Sequence, residues 1–187
     1  MTINIYNISN YDEILIENKT LVILDIDETI FKFNNIDYQW WIDNINRYIK
    51  LGYDYVVAEK IVYKKWINYI KISNPILLDK DKLFELFIRL EKTNSHLIIL
   101  SARTEDIREL THNNLLQCGI KIDDYNLFLT KNKGDMINKL LLNEYIDYKN
   151  VIFIDDLEKN IIDVKDKLNY FNNNYNIKLY WLKHINL

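Results

Sequence analysis

The chain has 187 residues, 49% of them hydrophobic and 27% charged, with 3 Gly and 1 Pro, which suffices for one packed domain plus an insertion and excludes collagen-like and disordered classes. Its formal net charge of -3 creates no global cationic field toward nucleic acid or an anionic membrane. The single cysteine, Cys118, cannot form an internal disulfide, Met1-Thr2-Ile3-Asn4 lacks the basic start of a signal peptide, and no apolar run approaches the roughly 18 to 20 residues of a membrane span, so a soluble, cytoplasmic protein is expected.

The first apolar run along the chain is Leu21-Val22-Ile23-Leu24, which leads into Asp25-Ile26-Asp27-Glu28-Thr29. From about Tyr38 to Lys71 the pattern turns helical. Trp40, Trp41, Ile45, Tyr48 and Ile49, then Val57, Ile61, Trp66 and Ile70, predict two amphipathic helices parted by Leu51-Gly52 and closed by Asn74-Pro75. Leu83, Phe87 and Leu90 predict a helix before the second run, Leu97-Ile98-Ile99-Leu100, which ends in Ser101-Ala102-Arg103. Ile107, Leu110, Leu115 and Cys118 predict the next helix, with Gly119 at its C-terminal cap and Cys118 on its core face. The third run, Leu127-Phe128-Leu129, leads to Thr130-Lys131-Asn132-Lys133-Gly134 and a helix marked by Met136 and Leu140. The fourth, Val151-Ile152-Phe153-Ile154, leads to Asp155-Asp156 and a helix marked by Ile161, Val164 and Leu168. Asn172-Asn173-Asn174-Tyr175-Asn176 is read as a polar turn before a last strand from Ile177 to Trp181.

Unbroken apolar runs of this length belong to strands buried on both faces, and their alternation with helices predicts an α/β fold with a doubly wound parallel sheet. The expected division is a core of residues 1–37 and 73–187 with a small helical insertion at 38–72. The aromatic stripe of that insertion is better explained as its own packing than as a ligand box.

In open parallel sheets ligands bind beyond the carboxyl ends of the strands, and here every run ends in polar or acidic residues. Asp25, Asp27, Asp155 and Asp156, on two neighbouring strand ends, would repel one another without a cation among them, and an all-oxygen set favours a hard ion, Mg2+ above others. A lysine and a hydroxyl at the same place would neutralise a phosphoryl group as well. Lys131 and Lys133 compete for the lysine position, and the helical pattern starting at Gly134 favours Lys133. Each acidic pair alone could equally cap a turn or a helix. Asn160 either buttresses Asp155 or lies on a helix surface, and His96, His112 and His184 form no ligand or triad spacing.

Taken in order, these residues resemble the four motifs of the haloacid dehalogenase (HAD) superfamily of aspartate-nucleophile phosphohydrolases. Asp25-Ile26-Asp27-Glu28-Thr29 resembles its DxDxT signature, Ser101 its strand-end hydroxyl, Lys133 its lysine and Asp155-Asp156 its acidic pair, over about Leu21 to Val164. The stretches LSART, NKGDMI and FIDDLEKN, with Trp40-Trp41, are similar to an uncharacterised group of phosphatases within it. The resemblance implies a HAD-like, Rossmann-like fold whose insertion is a small cap over the site. It implies a Mg2+-dependent phosphatase that hydrolyses a phosphomonoester through an aspartyl-phosphate. Asp25 would be the nucleophile, and Asp27 the acid and base, with its backbone carbonyl on the metal. Ser101 would donate to the phosphoryl oxygens, and Lys133 would balance their charge. Asp155 would bind Mg2+, with Asp156 direct or through water. Thr29 and Arg103 are the candidate substrate-binding residues, Arg103 being otherwise an exposed, solvated or ion-paired side chain. The second aspartate, Asp27, points to phosphoester hydrolysis rather than dehalogenation. The expected partner is a phosphorylated small molecule. A nucleic-acid 3′ end, gripped by Lys64-Lys65 and Lys71, is one alternative. A non-enzymatic binding module is the other, and the presence of both Asp25 and Asp155 counts against it.

Overall fold

The structure, a computed structural model, describes residues 3–169 and 175–183; Asn172, Asn173 and Asn174 of the expected polar turn, and His184, lie outside them. The strands are β1 (Asn4–Ile8), β2 (Thr20–Leu24), β3 (Phe31–Lys32), β4 (Ile76–Leu77), β5 (His96–Ser101), β6 (Leu127–Leu129), β7 (Asn150–Asp155) and β8 (Asn176–Leu182). The helices are α1 (Tyr38–Lys50), α2 (Tyr55–Ile70), α3 (Lys80–Lys92), α4 (Arg108–Gln117), α5 (Lys133–Asn143) and α6 (Glu158–Leu168).

All four apolar runs become strands, and their alternation explains why two layers of helix cover them. In β2, Val22 and Leu24 join a cluster with Leu83, Leu86 and Leu90 of α3 and Leu115 of α4. Leu21 and Ile23 join the opposite cluster, with Ile137, Leu140 and Leu141 of α5 and Ile161, Val164 and Leu168 of α6. Side chains that point alternately to the two faces are all buried only when both faces are covered. Cys118 sits in the first cluster, as its helical spacing predicts. Gly119 ends α4 at φ +77°, a backbone region that glycine enters without strain.

Six strands form one parallel sheet in the order β1-β8-β7-β2-β5-β6. Because β2 lies between β7 and β5, the segments that follow these three strands emerge side by side at one edge. Three strands escape sequence reading for a physical reason. On β1, Ile5 and Tyr6 are 38% and 39% exposed, so this outermost strand carries no continuous apolar run. On β3 and β4, which pair antiparallel as Phe31 with Leu77 and Lys32 with Ile76, two residues are too few to show a period. That pair ties together the two ends of the segment carrying α1 and α2.

Asp37 accepts a hydrogen bond from the Trp40 amide at 2.7 Å and Asp54 from the Val57 amide at 2.9 Å, so α1 and α2 each start on an aspartate cap. Between them Ile45, Ala58 and Val62 are buried, with Trp40, Trp41 and Tyr48 packed around them. The α2 face differs in phase from the sequence expectation: Ala58 and Val62 are inside, and Val57 is 38% exposed. Val56-Val57-Ala58 are three consecutive apolar residues, so a helix through them can turn Ala58 rather than Val57 inward. Three buried side chains at about 2 kcal/mol each cannot fold an isolated helix pair. The pair is held instead by Tyr63, Trp66, Ile67 and Ile70 of α2, which pack into the first core cluster. Among the described residues no helix is long and apolar enough to cross a membrane.

Candidate active site

Asp25 follows the last residue of β2, and its amide still donates to the Ile154 carbonyl of β7 at 3.1 Å, extending the ladder one step. The chain then turns tightly: Glu28 adopts φ +56°, and the Ile30 amide donates to the Ile26 carbonyl at 2.8 Å. This turn leaves the Asp25 side chain 7% exposed and carries the Asp27 side chain out to 34%. The two aspartates of the signature therefore occupy different environments within three residues.

Lys133, the first residue of α5, has a fully enclosed ammonium that donates to Asp25 Oδ1 at 2.5 Å and Asp155 Oδ2 at 2.6 Å. Lys131 points elsewhere and pairs with Glu59 of α2 at 3.0 Å, so the structure separates the two lysines that the sequence leaves in competition. Asp155, completely buried, also accepts from the Leu157 amide at 2.9 Å and from Asn160 Nδ2, which lies 3.0 Å from both carboxylate oxygens. Of the two readings of Asn160, the buttress is the one seen. Ser101 is the last residue of β5 and buried, and its hydroxyl accepts from the Arg103 amide at 3.3 Å.

Thr29 and Arg103, the two expected substrate contacts, are both buried. Thr29 is fully buried, and its hydroxyl lies 3.4 Å from both Asp25 Oδ2 and Asp156 Oδ1 while accepting from the Asp156 amide at 3.2 Å, so it ties the carboxylates together from within. Arg103, the other candidate for substrate binding, borders the cavity beside the site but is 2% exposed and ion-paired, forking onto Asp27 with Nε to Oδ2 at 2.9 Å and Nη2 to Oδ1 at 2.7 Å. A guanidinium taken out of water needs such a partner. Tyr11, whose hydroxyl donates to the Thr29 carbonyl, and Trp181, whose indole donates to the Asp156 carbonyl at 2.9 Å, also support the site. Both are remote in sequence and follow no motif, so pattern reading misses them.

Burial pushes the Asp25 carboxyl up to about 7; Lys133 pulls it down, and Asp155 adds to the rise. Asp156 is pushed up to about 9 by burial, reinforced by Asp25 and Asp155. Burial opposes the charge on Lys133, yet Asp155 and Asp25 hold its ammonium above the ordinary range. The carboxylate oxygens of Asp25, Asp155 and Asp156 lie within 4.8 Å of one another. Three carboxylates so placed could hold a metal ion through hard oxygen ligands. The Asp27 carboxylate is not in that cluster, because Arg103 holds it.

Next to the carboxylates lies a cavity of about 450 Å³, bordered by Asp27, Glu28, Asp156 and Asn160 on one side and by Tyr38, Trp41, Tyr63 and Trp66 of α1 and α2 on the other. Lys64, Lys65 and Lys71, the lysines of a nucleic-acid groove, do not border it. Lys64 and Lys71 instead line a separate depression that includes Asp106 and Glu109.

The parallel sheet, its order and the acidic strand ends define a HAD-like fold. The family model described as HAD superfamily, subfamily IIIB (acid phosphatase) matches residues 1–153, and the chain belongs to that family of phosphoric monoester hydrolases. A second family model, described as a protein of unknown function, matches residues 127–184. Among solved structures the chain is similar to the class C acid phosphatase from Bacillus anthracis, at 17% identity and a TM-score of 0.47, over 89% of this chain and 67% of that one. No curated protein matches it.

Proposed function

We propose that this phosphatase is Mg2+-dependent and hydrolyses phosphomonoesters through an aspartyl-phosphate on Asp25, with residues 38–72 serving as a small cap. One observation carries this reading: Lys133 bridges Asp25 and Asp155 at the ends of adjacent strands, with Asp156 in the same cluster. A divalent ion held by Asp25, Asp155 and Asp156 would supply charge stabilisation for the transferring phosphoryl group.

The remaining chemistry falls to the chain's own groups. A carboxylate needs no base to attack, so Asp25 displaces the leaving oxygen from phosphorus while Lys133 balances the charge of nucleophile and phosphoryl group. The phosphorus–oxygen bond to the leaving group breaks as the Asp25–phosphorus bond forms. Asp27, turned out toward the cavity, gives its proton to the leaving oxygen, then takes one from the water that attacks the aspartyl-phosphate. That second attack releases inorganic phosphate and returns Asp25 and Asp27 to their starting forms. Ser101 donates to a phosphoryl oxygen. The walls contributed by α1 and α2 support the cap assignment, because aromatic groups over the strand ends limit water at the reacting phosphorus.

The test is hydrolysis of p-nitrophenyl phosphate by purified protein with Mg2+ and with EDTA. Turnover that needs the ion is expected. Undiminished turnover in EDTA refutes the metal assignment, and no turnover under either condition refutes the phosphomonoesterase reading.

A further inference from the structure

Arg103 is enclosed far more thoroughly than a phosphate-binding arginine requires. Its Nε and Nη2 fork onto the two oxygens of Asp27, while Nη1 donates to Asn114 Oδ1 at 3.0 Å and lies 3.4 Å from Thr111 Oγ1, both buried residues of α4. The guanidinium also lies over the Phe31 ring of β3 at 5.4 Å and over the Trp66 ring of α2 at 5.2 Å. Trp66 in turn stacks on Tyr63 at 5.7 Å, and the Tyr63 hydroxyl sits 2.6 Å from the Thr104 hydroxyl and accepts from the Thr104 amide at 3.2 Å. Helix α2 thus grips both Arg103 and the residue after it.

We propose that Arg103 is a positioning residue, packed against Phe31 and Trp66, which fixes where the Asp27 carboxyl group lies and thereby lets helix α2 set the geometry of proton transfer. The inference rests on the acid and base role proposed for Asp27. A bidentate fork fixes both the direction and the plane of a carboxyl group, which a single hydrogen bond cannot do. Each carboxylate oxygen keeps a second lone pair, and with the side chain 34% exposed that edge opens to the cavity where a leaving oxygen or a water would sit. Phe31 and Trp66 restrain the guanidinium against tilting, because cation–π contact is strongest with the cation over the ring face. The Asp27 side chain, on a turn rather than a strand, is anchored by both arms of this arginine.

The experiment compares kcat/KM for p-nitrophenyl phosphate, whose leaving group needs little protonation, with that for glycerol phosphate, whose alkoxide must be protonated. This parameter covers only the steps up to release of the leaving group, so it isolates the acid half of the cycle. In Arg103→Lys, which keeps the charge but not the fork, and in Arg103→Gln, glycerol phosphate should lose about 10²-fold and p-nitrophenyl phosphate less than about tenfold. Trp66→Leu should shift the ratio in the same direction by about threefold, and it decides the matter if either Arg103 variant fails to fold by circular dichroism. A ratio equal to that of the wild type in Arg103→Lys, or in Trp66→Leu, overturns the proposal, since a merely structural role lowers both substrates alike. Wild-type protein that hydrolyses neither substrate with Mg2+ overturns the phosphatase reading together with this one. A wild type that hydrolyses both, with variants of unchanged ratio, overturns the positioning role alone.

Discussion

Lys133 shows how one residue can depend on the charges around it. Its ammonium is enclosed with two carboxylates, and Asp156 adds a third beside them. Asp25→Asn keeps the side-chain shape and can still accept from Lys133, yet it removes the nucleophile and one of three crowded charges. Hydrolysis should fall by at least about 10⁴-fold, while the metal-free protein melts no lower than the wild type. Asp27→Asn should cost about 10² to 10⁴-fold. Either variant working at a near-normal rate in the presence of Mg2+ would contradict the assigned roles. At this scale the sequence was most legible where an apolar run hands over directly to an acidic residue, as at Asp25 and Asp155. It was least legible for Thr29 and Arg103. Their neighbours in space are Asp156, 127 positions away from Thr29, and Asp27, 76 away from Arg103. Burial of a polar side chain is decided by such distant partners, and local pattern carries no trace of them.

Helix α5 positions Lys133, and its packing leaves no room for error. The Gly134 amide donates to Asp163 Oδ2 of α6 at 2.9 Å. A Cβ added there would come within 2.7 Å of Lys167 Cγ, 2.9 Å of Asp163 Oδ2 and 3.0 Å of the Asp163 carbonyl oxygen. The lysine can swing away, but the helix backbone cannot. Gly134→Ala gains about 1 kcal/mol of helix propensity and meets an overpacking cost of about 1 to 3 kcal/mol, so the clash should win. A fall of about 2 to 8 °C in Tm is expected, with weaker turnover because Lys133 moves with its helix; a rise in Tm would refute the close-packing argument. Elements were readable from sequence in proportion to how much of one face they bury. The strands β2, β5 and β7 are long and covered on both sides, so their runs stand out. The outermost strand β1 and the two-residue pair β3 and β4 bury too little to leave a pattern, although that pair joins the two ends of the segment carrying α1 and α2.

The whole molecule concentrates its electrostatic strain at one edge of the sheet, so its stability should respond to pH and to metal together. In the metal-free fold burial raises Asp156 from 3.8 to about 9 and Asp25 from 3.8 to about 7. Groups whose folded values lie above their unfolded ones stabilise the protein fully below the unfolded value, and that contribution is lost as pH rises through the folded one. Without metal, then, Tm should decline from about pH 4 toward about pH 9, as both carboxyls are forced to ionise beside Asp155. Protons and a divalent ion compete for the same oxygens, so the ion binds more tightly as pH rises and stabilises the fold by mass action. Thermal unfolding with Mg2+ and with EDTA, at about pH 5 and about pH 8, should therefore give a Tm difference that is small at the lower pH and several-fold larger at the higher. Asp156→Asn removes the group with the largest rise and should flatten the decline seen in EDTA. A Mg2+ effect of equal size at both pH values would mean that Asp25, Asp155 and Asp156 do not share the ion, and the acidic edge would then be explained by Lys133 alone.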